Sequence, residues 1–592
     1  TLDATAGLDF VSQRSTEFRP FGWNVDNFVQ LDPQGFLQLG KREHKEWTVD
    51  VKANWMRNLT SDISSTFLAG FQGFNTVNSI SDATVDIFPG PGLEVLDAAQ
   101  NQQTVSRFSE IINAGFFVQE QFGYKDYLFV TGGLRFDANS AFGTDFSTQT
   151  YPKLSLSFVP TSAFAFGGSF LSTLRVRGAV GRSGQQPGAF DQFTTFAPYN
   201  AETGAGVRPE NLGNPAIKPE ISTEYEAGFE AGFFRDRLGL EFTFWDRTVK
   251  DALIARQFPP SGGFRRTQLD NIGQVDARGI EMGLNFSVFK RENVSVEVFA
   301  NAAYLDETLT DLGGAPEQKV AGSYTRIRNF LREGFAPGAF FGVKLADGEL
   351  PIDIDGDNVV DSREDLLAFF AVPRDPSEFA PVLVDEDGDG DFQDHFLGKA
   401  TPDWSGSFGV NVGFLKHFRL GSVFEYKTGE FSISNFTGAF RQANPLIGRN
   451  LPESASQELV LLNPASTAEQ RLDAALLWET EIRALSPFSG LNQIEAADFI
   501  RMREINLTYD FPRGLNQVFG VRNASFTISG RNLLLFTKYS GVDPESNWVG
   551  RGGIGDDDAD PENIRDNNFL DGNDAFGLPL PRQVVFKLRF GF

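Results

Sequence analysis

The sequence predicts an all-β fold: a large antiparallel transmembrane β-barrel with long loops. Three observations carry this reading. Apolar and polar residues alternate over many segments of about 9–11 residues, long enough to cross a bilayer when tilted. Phe occurs 61 times and Gly 60 times in 592 residues, with aromatics at 13%. The connections differ in kind, some tight and others long and polar. Mean hydropathy is only −0.23, and no run of about 18 apolar residues occurs, so membrane-crossing helices are excluded. A barrel strand hides its hydrophobicity from such averages, because only one of its faces meets lipid.

Barrel-like sequence begins at Gly7–Val11 and Glu46–Trp55. Next, Leu128, Val130, Gly132, Leu134 and Phe136 oppose Phe129, Thr131, Gly133 and Arg135. Leu238, Leu240, Phe242 and Phe244 oppose Arg237, Gly239, Glu241 and Thr243. Ile280 to Val288 and Val294 to Ala302 repeat the pattern, as do Ile505, Leu507, Tyr509 and Phe511. Successive side chains on a strand point to opposite faces, so each segment has one apolar and one mainly polar face. Roughly 16 to 18 such segments are present, with boundaries known to a few residues. At the end of the chain Val584, Phe586, Leu588, Phe590 and Phe592 form an aromatic row suited to lipid, with Lys587 and Arg589 opposite.

Tight links are expected at Lys125-Asp126, Arg235-Asp236 and Lys290–Asn293. Long polar loops are expected over about 74–104, 183–220, 306–320, 346–403, 428–497 and 536–580. The 428–497 loop contains a predicted helix: Ser466-x-x-Glu469 reads as a capping box, and Ala468, Leu472, Ala475 and Leu476 follow at helical spacing.

Composition narrows function. Lys and Arg number 52 against 78 Asp and Glu, a net charge of −26, which argues against nucleic acid as a partner. There are no cysteines and only 3 His, which removes disulfide scaffolds, Cys nucleophiles and thiolate metal sites. No phosphate-binding loop, G-x-S-x-G elbow or H-E-x-x-H motif occurs, so an enzyme is not expected.

Two acidic runs have calcium-loop spacing, which converges hard oxygens on one cation. In the first, Asp353, Asp355, Asp357, Asp361 and Glu364 fall at positions 1, 3, 5, 9 and 12, with Asn358 where Gly is usual. In the second, Asp385, Asp387, Asp389 and Asp391 are spaced alike, but Phe396 takes the place of the bidentate acid, with Asp394 as the alternative ligand. No flanking EF-hand helices are evident, so a structural Ca2+ clip within 346–403 is expected rather than a sensor. Loop aromatics Phe190, Phe193, Phe196, Tyr199, Trp478 and Trp548 are candidate substrate contacts, set against the plainer reading that loop aromatics pack loops. Lumen-side Arg501 and Arg503 are expected to pair with acids of a plug or of the barrel wall.

Several stretches together resemble the SusC/RagA family of TonB-dependent outer-membrane transporters. They are Leu174–Phe190, Asn214–Glu220 with Glu224–Glu230, Gly338–Gly342, Leu397–Trp404, Phe499–Leu507, and Ser529–Leu534 leading to Tyr539–Glu545. The resemblance spans roughly residues 128 to 592 and implies a plugged barrel of about 22 strands. It also implies the outer membrane of a Gram-negative-type bacterium, with lipid and lipopolysaccharide around the wall. The implied activity is uptake of a bulky glycan or peptide, with a SusD-like surface lipoprotein as lid and energy from the TonB complex. The family's N-terminal plug is not found here, so the plug and first strands are expected upstream, on a missing part or a separate chain. A transport-inactive barrel serving as a scaffold for a surface or envelope assembly is the alternative, and a secreted calcium-binding adhesin the third reading.

Overall fold

The computed structural model describes the chain except residues 23–33, 145–147, 165–167, 202–203, 265–266, 321–327, 347, 386–387, 389, 391–394, 439–451, 480–493, 547–570, 576 and 592. Sixteen strands form one sheet in chain order. They are β1 (Leu2–Arg19), β2 (Phe36–Asn58), β3 (Ile63–Asp86), β4 (Asn101–Tyr124), β5 (Leu128–Asn139), β6 (Gln149–Phe158), β7 (Leu171–Gln185) and β8 (Glu220–Phe233). Then come β9 (Leu238–Gln257), β10 (Thr267–Arg291), β11 (Val294–Asp311), β12 (Trp404–Phe414), β13 (Phe418–Thr428), β14 (Phe499–Asp510), β15 (Asn523–Thr537) and β16 (Gln583–Gly591). The chain divides into two compact units, residues 1–163, 176–226 and 247–274 in the first, and 164–175, 227–246 and 275–592 in the second.

In the first unit β1 to β7 pair antiparallel. Lys125 and Asp126 both take positive φ, 48° and 57°, the backbone of a primed turn whose twist matches its flanking strands. The expected long loop at 74–104 is shorter than the sequence suggested. β3 and β4 stay paired out to Asp86↔Asn101, and only 87–100 connects them. There Phe88, fully buried, closes a small core with Leu37, Val85 and Ala99. Gly35 at φ +85° sits under the Phe88 ring, where an added Cβ would lie 2.6 Å from it.

The register shows where lipid should lie. On β2 the outward residues Trp47, Val49, Val51 and Trp55 are exposed, with Ala53 between the last two. Trp at both ends brackets them, as interfacial aromatic girdles do. On β1 the opposite partners are Leu8, Ala6, Ala4 and Leu2. Beyond Trp47 the outward residues become Lys45, Glu43 and Lys41, and Lys45 Nζ lies 5.7 Å from the Phe10 ring centroid at that boundary. Nine residues at about 3.4 Å each, tilted, give a band close to the ~25 Å apolar height of outer-membrane barrels. The outer ends of β2, β3 and β4 continue past it, and this is why their alternation fades in the sequence.

In the second unit β11 to β16 pair antiparallel. One face carries Phe408, Leu507, Phe526, Ile528, Phe586 and Leu588, all exposed. Phe526↔Leu588 and Ile528↔Phe586 are direct cross-strand neighbours. Leu415 and Lys416 make the tight β12–β13 turn at φ 52° and 64°.

The long connections of this unit build their own core. The helices are α1 (Arg363–Phe369), α2 (Pro452–Leu462) and α3 (Ala468–Leu477). Ile352, Leu366, Phe370, Phe379, Leu461, Leu472, Ala475 and Trp478 pack together, each at most 5% exposed. Helix α3 begins one residue later than expected: Thr467 and Gln470 form the capping box, not Ser466 and Glu469. The Thr467 hydroxyl oxygen accepts from the Gln470 amide, and Gln470 Oε1 accepts from the Thr467 amide. Helix α2 was not anticipated.

Candidate functional site

The first acidic run lies between β11 and β12 and feeds directly into α1. The expectation of no flanking helix is therefore corrected on one side. Ser362 caps α1 by accepting from the Asp365 amide, and Glu364 and Asp365 sit in its first turn, favourable to the helix dipole. The other end of α1 is held by cations. Arg471, 2% exposed, donates to the carbonyls of Phe370 at 2.9 Å and Asn463 at 2.8 Å. Arg374 donates to the Phe369 carbonyl at 2.9 Å and stacks 3.9 Å from its ring centroid.

Before α1 the chain makes the tight loop that the spacing anticipated. Carboxylate oxygens of Asp353, Asp355 and Asp361 lie within 4.8 Å of one another. Asp357 and Glu364 stand outside this group. Asp357 instead accepts from the Val359 amide at 2.8 Å, and Glu364 belongs to α1. Asn358 takes the left-handed position at φ 59°, as its place in the motif requires. Its side chain also ties the loop to the next segment, donating to the Leu383 carbonyl and accepting from the Leu383 amide, both at 2.9 Å. Asp353 is 5% exposed. Burial opposes its charge, yet the amides of Gly356, Asn358 and Asp355 point at it and hold its carboxyl below the ordinary value. Asp355 goes the other way. The Asp357 amide favours its charge, but partial desolvation and the carboxylates of Asp357, Asp361 and Asp353 together push it up. One strongly ionised carboxylate beside a destabilised one suits a hard divalent cation with oxygen ligands. In the second run only Asp385 is described, accepting from Gly388 and Gly390 amides. Asp387, Asp389, Asp391 and Asp394 lie outside the described residues.

The loop aromatics separate. In the first unit Phe190, Phe193, Phe196 and Tyr199 are 44–55% exposed. Their backbone is fixed while the rings point out. Asn211 Nδ2 donates to the carbonyls of Phe190 and Phe193 at 3.0 Å each. Gly213, at φ +78°, lets the chain pass where a Cβ would sit 2.4 Å from the Phe193 carbonyl carbon. Phe196 and Tyr199 lie on a hairpin of Phe196–Ala201 with Gly204–Pro209. Trp478, in the second unit, takes the plainer of its two readings: it is 5% exposed and belongs to the loop core, so it packs helices rather than presenting a ring. Trp548 lies outside the described residues, as does Phe592 of the C-terminal row.

Arg501 and Arg503 both reach the polar face, although Ile500 and Met502 beside them face outward. Alternation alone sets this; the bulge between Met502 and Glu504, with Arg503 as the extra residue, resets the frame so that Glu504 also takes the polar face and Ile505 and Leu507 face outward. Arg501 pairs with Asp543, both 3% exposed, and with Glu545 at 2.6 Å. Arg503 pairs with Glu425 of β13 at 2.5 Å and also with Glu545. The network pins the chain after β15 to the wall.

The sequence profile described as "TonB dependent receptor-like, beta-barrel" matches residues 2–443. The chain belongs to this family. Family members are receptors and transporters of the outer membrane, not enzymes, and the chain is an outer-membrane protein. Relatives include TonB-dependent receptor P26 of Formosa agariphila, 23% identical over 96% of this chain and 53% of that protein. TonB-dependent receptor SusC of Bacteroides thetaiotaomicron is 24% identical over 40% of this chain and 26% of SusC. The solved structure of the RagAB peptide transporter superposes with a TM-score of 0.75 at 19% identity, covering all of this chain and 60% of that one. The fold is thus the antiparallel β-barrel of TonB-dependent receptors, as the strand pattern and the SusC/RagA resemblance implied. The receptor chain spans about half the length of the curated relatives P26 and P39.

Proposed function

We propose that the chain forms the wall and surface loops of a receptor that imports a bulky nutrient, a glycan or a peptide, with energy from TonB. The observation that carries the reading is the two-faced sheet. The Trp47–Trp55 band faces lipid, while Asp50, Lys52 and Gln72 line the other side and bond to one another at 2.8–2.9 Å. A wall apolar outside and charged inside suits a wet lumen, and the packed loop core around Phe370 and Trp478 gives the second unit a shaped surface of its own. The cargo contacts in this reading are the exposed rings of Phe190, Phe193, Phe196 and Tyr199. Partners are a SusD-like surface lipoprotein as lid, a plug filling the lumen and the TonB complex acting on that plug. A Ca2+ ion held by Asp353, Asp355 and Asp361 would brace the loop core, because Ile352 and Leu366 flank its ligands in sequence.

The test is uptake by the full receptor in a heterologous outer membrane, with and without TonB. Fluorescent oligosaccharides and peptides are recovered from the periplasm. Accumulation of one class only when TonB is present is the expected result. Equal accumulation in both strains, or none, contradicts the reading.

A further inference from the structure

The short turns of the second unit differ in charge from the rest of the chain. Residues 234–237, 290–293, 415–417 and 511–522 lie where β8 meets β9, β10 meets β11, β12 meets β13 and β14 meets β15. They hold seven Lys and Arg against two acids, a net of +5 in a chain of net −26. Contacts tie them into one rim. The Arg237 guanidinium donates to the Ser287 and Val288 carbonyls near the end of β10, at 3.1 and 2.6 Å. Lys416 Nζ reaches Glu292 Oε1 at 2.6 Å, joining the β12–β13 turn to the β10–β11 turn. Arg235, Lys290, Arg291 and Arg513 are all exposed along this rim.

A belt of rings runs beside the rim on the lipid side of the wall. Val294 pairs with Phe414, Phe414 with Phe418, Phe418 with Tyr509, and Tyr509 with the lipid-facing Phe526. Ring centroids stand 5.5 Å apart for Phe414 and Phe418, 4.9 Å for Phe418 and Tyr509, and 5.5 Å for Tyr509 and Phe511. Phe511 lies 6.0 Å from Phe519, which belongs to the β14–β15 turn, so the belt reaches the charged turns. Outer-membrane barrels carry such belts at headgroup level and keep their short turns on the periplasmic side. Cations just beyond the belt stand among lipid headgroups, where ammonium and guanidinium groups pair with phosphate. A zwitterionic headgroup brings its own cation, which the rim repels. An anionic headgroup brings none.

We propose that this rim selects anionic phospholipid headgroups, of the phosphatidylglycerol kind, from the leaflet it touches. The occupant is lipid rather than polypeptide because the belt continues the lipid-facing side of the wall, away from the lumen. The inference goes beyond the import reading and needs only that the wall spans the membrane.

The test asks which lipid lies against the rim. A single cysteine replaces Val294, which is 39% exposed, and carries a fluorophore; the chain has no other cysteine to compete. The full receptor is reconstituted in phosphatidylcholine vesicles. A fixed fraction of the lipid is phosphatidylglycerol or phosphatidylcholine brominated on its acyl chains. The quenching constant for brominated phosphatidylglycerol is expected to be at least about threefold larger, with the excess shrinking at high salt. Lys290→Gln with Arg291→Gln and Lys416→Gln should remove the excess and leave quenching by brominated phosphatidylcholine unchanged. Heat-modifiable mobility verifies that the variant is folded. A label at Phe536, exposed on β15 at its long-loop end, should show no preference. Equal quenching by the two lipids at Val294, the same preference at Phe536, or a preference that survives in the variant overturns the proposal. So does quenching by neither lipid at Val294, the result expected if a polypeptide covers the rim.

Discussion

The wall and the loop core use the same residue types in opposite ways. On β15 and β16, Phe526, Ile528, Phe586 and Leu588 are 38–66% exposed, and the strands are held by backbone ladders. In the loop core Phe370, Leu366 and Leu461 are 0% exposed, and packing holds the elements. Lipid replaces water around the wall, so its exposed rings cost nothing there. The loops stand in water and must bury theirs. One chain is therefore stabilised by two solvents, and each region should fail in its own way.

The largest effect is expected inside the loop core. Phe370→Ala removes a fully buried ring and should cost about 3–5 kcal/mol. Limited proteolysis should show cuts near α1 and α3 while the heat-modifiable band of the barrel persists. In the wall, Ile528→Arg puts a charge among lipid-facing neighbours and should cost about 2–4 kcal/mol. Here the folded band should weaken while any surviving barrel keeps its loop protection. If either substitution damages both regions equally, the division between them is wrong.

Arg471→Met should come next. It leaves the Phe370 and Asn463 carbonyls without their donor, at about 1–3 kcal/mol, read again as loop proteolysis.

The mildest effect is one of pH and metal. The Asp353 carboxyl is held below its ordinary value of 3.8, so its contribution is complete above that value and is lost as pH falls through the lowered one. Asp355, pushed up, has the opposite sign and penalises the loop once ionised. Ca2+ should remove that penalty. Near neutral pH, added Ca2+ should slow cleavage at 353–361 and a chelator should restore it, and this response should be weakened in Asp355→Asn. Cleavage indifferent to Ca2+ removes the metal from the account.

What was legible in the sequence follows from the same contrast. Wall strands announce themselves because lipid and lumen impose a two-residue period. The C-terminal row, the Lys125-Asp126 turn and about the observed strand number could be read directly. The outer halves of β3 and β4 leave the lipid, lose the period and looked like loop. The bulge had a signal that was not used: Ile500 and Met502 are even-numbered, Ile505 and Leu507 odd, and a break in frame demands an extra residue. The loop core had little signal, because its contacts join residues far apart, as in Arg471 with Phe370, 101 positions away. For that reason α2 went unseen, and Trp478 stood between a cargo-facing ring and helix packing. The acidic loop was legible because its geometry is local.

The absence of native cysteine allows the most direct test. Single cysteines placed in the full receptor at Lys45, Val49, Asp50, Val51 and Lys52 are labelled with a fluorophore in vesicles containing brominated lipid. Strong quenching at Val49 and Val51, with little at Lys45, Asp50 and Lys52, is the predicted result. Uniform quenching along β2, or none at Val49 and Val51, would contradict a lipid-facing band between Trp47 and Trp55.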